Sequence, residues 1–308
     1  MLKNKILSRS SGILTYGITP PKLSLSPDRI GEIAQKQLER VKLLDIDALV
    51  VYDIQDESDR TTEERPFPFL PTLDAARYCE QYYAALDLPK IVYRCVAKYS
   101  EEELRSWATG NPGQDRFSVF VGASSGHSTG KLRLPDAYAA VHSIDPQFFL
   151  GGVTIPERHT IKSDEHLRVF RKMEDGCVFF ISQAVYNVEA AKNFLSDYYF
   201  LCRSKGVEMV PILFTLTPCG SLKTMEFMRW LGISVPRWLE NELRYSDDIL
   251  DKSVKLSLEI FQELWQFAMD RQIPIGCNVE SVSVRKVEIE ASIEMVEKVR
   301  EIMKKPKE

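Results

Sequence analysis

A polar side chain that interrupts an apolar strand must find a partner, so such interruptions are where chemistry is first sought. Gln183 is one: it follows Val178, Phe179, Phe180 and Ile181 and precedes Ala184 and Val185. Its primary amide offers donor and acceptor together, which suits the edge of a pyrimidine or pterin ring, although a neighbouring loop would satisfy it equally. Asp53 and Glu280 close two other apolar runs. A carboxylate there can take paired hydrogen bonds from an exocyclic amine and a ring N–H, or serve as a helix cap or ion-pair partner. Tyr52, Thr217 and Asn278 stand at similar run ends, as do Asp56, Arg94, Ser124, His159, Asn187 and Ser281.

Other chemistries find less support. The four histidines (His127, His142, His159, His166) share no short repeat such as i, i+4, so no metal site is expected. The glycines from Gly122 to Gly130, and Gly220, lack the P-loop pattern for phosphate. Six cysteines (Cys79, Cys95, Cys177, Cys202, Cys219, Cys277) lie far apart without a C-x-x-C and read as buried reduced thiols. Net charge is −4 and the basic residues are scattered, so no stripe tracks a nucleic-acid backbone. No apolar run reaches about 18 residues, which argues against a membrane span. Lys3, Lys5 and Arg9 break up the first residues where a secretory core would lie, so a cytoplasmic location is expected.

The elements that must position these residues alternate strand with helix. Eight β-branched or aromatic runs begin at Ile13, Ala48, Lys90, Phe117, Phe148, Val178, Met209 and Ile273. Helical periods occupy 28–44, 73–86, 101–108, 165–173, 188–204 and 250–271, and a charged amphipathic segment spans 285–303. Ser26, Ser100 and Ser221 supply helix caps. Eight alternations predict an α/β fold, one (β/α)8 TIM barrel over residues 1–308 with an outer ring of helices, because an open sheet that wide would leave two long edges. The alternative, a doubly wound sheet, lacks its G-x-G-x-x-G after the first strand. Long connections at 55–71 and 124–135 would lie on the carboxyl face, where such barrels keep their sites.

From about Leu14 to Met303 the sequence resembles the methylenetetrahydrofolate reductase family, whose catalytic domain is a flavin-containing β/α barrel. The likeness is carried by Pro20-Pro21, Asp59-Arg60-Thr61, Pro156-Glu157-Arg158-His159 and the stretch KMEDGCVFFISQ from Lys172 to Gln183. VPILFTLTP from Val210 and VPRWLENEL from Val235 continue it, and Asn187 stands where the family usually has an aspartate. The resemblance implies that Gln183 contacts the pterin and that His159 and Lys172 belong to the flavin site. It also exposes departures. The family's general acid, a glutamate, matches Gly17; its flavin-contacting R-G-D matches Val121-Gly122-Ala123; its strand-three histidine falls near Val92 and its strand-two threonine near Val51.

Two readings follow. In the first, the chain binds reduced folate (5-methyl- or 5,10-methylenetetrahydrofolate) for one-carbon and methionine metabolism through a barrel with a degraded flavin site and no tightly held cofactor. Its folate contacts are then Gln183, Asp53, Tyr52, Thr217, Asn278 and Glu280. In the second, it is an active FAD-dependent reductase whose proton comes from another acid such as Asp53, Glu57 or Glu280. Whether it is an enzyme stays open between them. Under the first, Tyr52 and Phe214 are expected to fill the flavin hollow, a second pterin-sized ligand being the alternative. Strand alternation is expected to turn Gln183 inward with Ile181 and Val185. Trp238, Leu239 and Leu243 offer a face for homo-oligomer contact, or simply pack within the chain.

Overall fold

Period-two alternation sends one set of side chains from each strand into a barrel and the other set against helices. The chain, seen in a computed structural model that describes residues 1–110, 116–123, 131–145 and 148–304, realises this with eight parallel strands. They are β1 (Leu14–Ile18), β2 (Ala48–Val51), β3 (Lys90–Cys95), β4 (Phe117–Val121), β5 (Phe149–Thr154), β6 (Phe179–Ala184), β7 (Ile212–Leu216) and β8 (Ile275–Glu280). Each pairs with the next, and β8 pairs back to β1, so the sheet has no edge.

A short helix, α1 (Leu2–Leu7), precedes β1, and α2 (Pro27–Val41), α3 (Ala75–Tyr82), α4 (Glu101–Thr109) and α5 (Leu134–His142) follow the first four strands in turn. Two helices, α6 (Pro156–Lys162) and α7 (Glu165–Glu174), join β5 to β6, and α8 (Val188–Lys205) joins β6 to β7. The β7–β8 connection holds α9 (Leu222–Trp230), α10 (Arg237–Arg244) and α11 (Ile249–Asp270), and α12 (Lys286–Lys304) follows β8. The three serine caps form as expected: Ser26 accepts from the Arg29 amide and Ser221 from the Thr224 amide, while Ser100 and Glu103 make a reciprocal capping box.

The amino-terminal end of the barrel is sealed. Leu2 and Ile6 of α1 pack with Ile13, Phe117, Phe149, Phe179 and Leu213 in the interior cluster, and the Phe117 and Phe149 rings stack at 4.8 Å. The carboxyl end is therefore the open, polar end.

Facing corrects several expectations. Phe214 and Val185 are buried between sheet and helices, so neither lines the hollow nor shares a side with Gln183. Val51 and Val92 also face the helices; the inward residues at those strand ends are Tyr52 and Tyr93. All six cysteines are buried and unbridged. Leu239 and Leu243 pack inside the chain, which leaves Trp238, 55% exposed, as the outward member of that trio. Among the described residues no helix is long and apolar enough to cross a membrane. Ser124, His127 and most of the long connection after β4 lie outside the described residues.

Candidate functional site

The carboxyl mouth is built around an amide on β8. Asn278 is fully buried; its Oδ1 accepts from Thr15 of β1 at 2.9 Å, and its Nδ2 donates to the Tyr52 hydroxyl at 2.8 Å and to Thr215 of β7 at 3.2 Å. The amide thus ties β1, β2, β7 and β8 together with both of its N–H donors used. Tyr52 in turn hydrogen-bonds to the Glu280 carboxyl. Burial lifts Glu280 to about 7 and pushes the Tyr52 and Tyr93 phenols well above their usual range.

Gly17 explains how Tyr52 fits. It is the β1 partner of Glu280 on one side and of Val50 on the other, at the height where the mouth begins. A Cβ placed on it would lie 2.6 Å from the Tyr52 ring and 3.2 Å from the Glu280 Cβ. The space that a side chain on this strand would use is thus filled by a tyrosine ring from β2, edge-on to Tyr93 at 4.7 Å.

Gln183 owes its setting to an irregularity. The β6–β7 register shifts between Ile181 and Ala184, where the Ser182 hydroxyl accepts from the Thr215 amide at 2.9 Å and Thr215 Oγ1 donates to the Ser182 carbonyl at 2.6 Å. Such a bulge re-aims the neighbouring side chain and breaks alternation, which is why Val185 turns outward. The Gln183 Nε2 donates to the Leu231 carbonyl, just past α9, at 2.8 Å. Its Oε1 is buried with no hydrogen-bond partner. Thr217, just past β7, accepts from the Val282 amide at 3.2 Å and receives the Tyr186 hydroxyl on its carbonyl at 2.5 Å.

The connection after β2 reaches toward α9. Trp230 Nε1 donates to the Glu63 carbonyl at 3.1 Å, Phe67 meets Phe227 edge-on, and the Arg65 guanidinium lies over Phe69, Phe227 and Trp230. These contacts bridge the rim between β2 and β7.

Three expected site residues fall elsewhere. Asp53 is buried with its oxygens engaged by the Cys95 amide at 2.8 Å, the Tyr99 hydroxyl at 3.0 Å and the Lys98 ammonium. It braces β2 against the end of β3. Lys172 lies behind β5, its stem over Gly152 and its Nζ donating to the Val153 carbonyl at 2.6 Å; burial lowers its pKa. His159 sits in the helix layer, where its Nε2 meets Asp197 of α8 at 2.9 Å and its ring meets that of His166 edge-on. Neither faces the mouth, so Tyr52, Gln183, Thr217, Asn278 and Glu280 gather there without them.

Sequence reasoning missed Glu157. This carboxyl is buried near the start of α8, with neither oxygen in a close hydrogen bond, and burial raises it to about 8. A lone acid one residue after a proline carries no sequence mark of burial. It also missed the meeting of His159, His166 and Asp197, which come from three separate helices.

Residues 136–275 match the family model for methylenetetrahydrofolate reductase. The chain is 55% identical to a solved protein of Clostridium thermocellum that binds two copies of 5-methyl-5,6,7,8-tetrahydrofolic acid; the match covers 98% of this chain and 100% of that one, with a TM-score of 0.89. A psychrophilic family 10 endo-β-1,4-xylanase aligns over 97% of this chain and 99% of its own at 11% identity and a TM-score of 0.50, a likeness of fold alone. No curated protein matches the sequence.

Proposed function

Since the chain belongs to the methylenetetrahydrofolate reductase family, we propose that it is a cytoplasmic reduced-folate-binding protein of one-carbon metabolism, working without tightly held FAD. The observation that carries this reading is the whole-length relationship to a protein that binds 5-methyltetrahydrofolate. The mouth supports it. Gln183 presents a buried, unpartnered Oε1 beside a spare amide N–H, and a pterin edge supplies matching donors and acceptors. Glu280, at about 7, exists in both protonation states at neutral pH and can accept from or donate to the same ring system. Asp53 is set aside, because its oxygens are already engaged.

The residues present do not fit a flavin as the family holds it. Tyr52 fills the space over Gly17, Lys172 and His159 point into the helix layer, and the β3–β5 wall offers Tyr93, Val121 and Val153. Aromatic and aliphatic walls accept a bicyclic ring by stacking and burial rather than by hydrogen bonds. Two folates per mouth, one on each side, is therefore the occupancy we propose.

A second reading, a reductase with a relocated acid, has one observation in its favour: Glu280 sits across the register from Gly17 with its carboxyl at about 7. A group poised there can hold or release a proton at neutral pH. Purified protein should be colourless under the first reading; stoichiometric absorbance near about 450 nm, the band of a protein-held flavin, selects the second.

Calorimetric titration tests the proposal directly. Wild-type protein should bind 5-methyltetrahydrofolate, and Gln183→Leu should weaken one class of site about tenfold to a hundredfold while leaving the fold intact, since it strands buried polar atoms of the ligand. No measurable binding by wild type overturns the folate reading. Equal affinity in the variant removes Gln183 from the site.

A further inference from the structure

We propose that His159, His166 and Asp197 form a binding site for one divalent transition-metal ion of the Zn2+ class, in the helix layer outside the barrel. One ligand atom from each residue lies within 4.8 Å of the others. The backbone makes this possible. Ser163 takes a left-handed conformation (φ 49°), ending α6 and reversing the chain so that α7 brings His166 back against His159. The His159 and His166 ring centroids are 5.2 Å apart at 82°, and Phe194 packs against His159 at 6.2 Å. Asp197 enters from α8, its Oδ2 2.9 Å from His159 Nε2.

The chemistry fits an ion better than a hydrogen bond alone. A His–Asp pair accounts for Nε2 of His159, while Nδ1 of His166 is buried without a partner. Unused buried ring nitrogens call for an ion or a water. Two imidazoles and a carboxylate, with bonds of about 2.0 to 2.2 Å, make a three-ligand set of the kind Zn2+ accepts with water in a fourth position. His159 is 4% exposed and fixes the inner ligand, whereas the Asp197 side chain is 51% exposed and leaves a path for the ion and that water. An ion here would staple α6, which carries Glu157, to α7 and α8.

The test uses the untagged full chain, stripped with chelator and titrated with Zn2+ against a chromophoric competitor. One equivalent should bind at micromolar affinity or tighter, and excess Zn2+ should raise Tm, since an ion that binds only the folded state stabilises it. His166→Ala and Asp197→Asn both alter partly exposed side chains, so the fold survives, and each should weaken binding about tenfold or more. The Tm rise should shrink in step. No binding by wild type at about a hundred micromolar Zn2+, roughly a −5.5 kcal/mol threshold, overturns the site. Binding that is unchanged in both variants also overturns it, because the ion then sits elsewhere.

Discussion

The two halves of the barrel mouth differ in how their polar groups are used. On the β6, β7, β8, β1 and β2 side, Asn278, Thr15, Thr215, Tyr52 and Glu280 form one connected network, and Gln183 adds a single unmet acceptor beside it. On the β3, β4 and β5 side the inward groups are Tyr93, Val121 and Val153, while Lys172 and His159 point away. A connected network is rigid because each member orients the next, whereas an apolar wall sets only shape. On the folate reading proposed above, the first half reads a ring's edge and the second holds its face.

The largest effect should come from forcing the family's acid back into the first half. Gly17→Glu places a Cβ into the Tyr52 ring and adds a buried carboxylate, which together should cost on the order of 5 kcal/mol or more and leave little folded protein. Adding Tyr52→Ala opens the space and should restore a substantial part of that loss, as a urea titration would register. If Gly17→Glu alone is as stable as wild type, the ring does not fill that space.

A smaller effect concerns pH. Glu157 is raised from the ordinary glutamate value to about 8, so the fold favours its protonated form. Its contribution is complete below the unfolded pKa of about 4.3 and is lost as pH rises through the folded value, on the order of 5 kcal/mol across that window. Glu280, raised to about 7, acts in the same direction. Denaturant midpoints of wild type should fall from pH 5 to pH 8, and Glu157→Gln should flatten much of the slope. A variant with an unchanged slope would mean that Glu157 ionises freely.

The smallest effect probes the second half. Lys172→Met should leave 5-methyltetrahydrofolate affinity within about twofold, because this ammonium is spent on the Val153 carbonyl behind β5. A tenfold loss would place Lys172 in contact with ligand and erase the contrast between the halves.

Much of this fold was legible in the sequence because strands buried on both faces read as unbroken apolar runs, and all eight lie where those runs do. The serine caps were equally plain. What was not legible is phase. Each run names a strand without saying which residues point inward, so Val51, Val92 and Phe214 were assigned to a hollow they do not face. The Ser182 bulge then reversed Val185, and no local composition marks it. Helices α1, α5 and α6 escaped because each spans only two turns or so, too short to show a helical period. Among candidate residues, position at a strand end placed Tyr52, Gln183, Asn278 and Glu280 at the mouth, but could not reveal that Asp53 is already occupied by the end of β3.

The pairing of β1 with β8 has a consequence for how the chain is made. During synthesis Leu14–Ile18 emerges some 260 residues before one of its two neighbours, Ile275–Glu280. Until then β1 is an open edge, and Leu2 and Ile6 have no finished barrel to plug. Closure therefore depends on contacts of the greatest sequence separation, which are slow to form and leave sticky surface waiting. The first of the eight strands to be made is thus among the last to be fully paired.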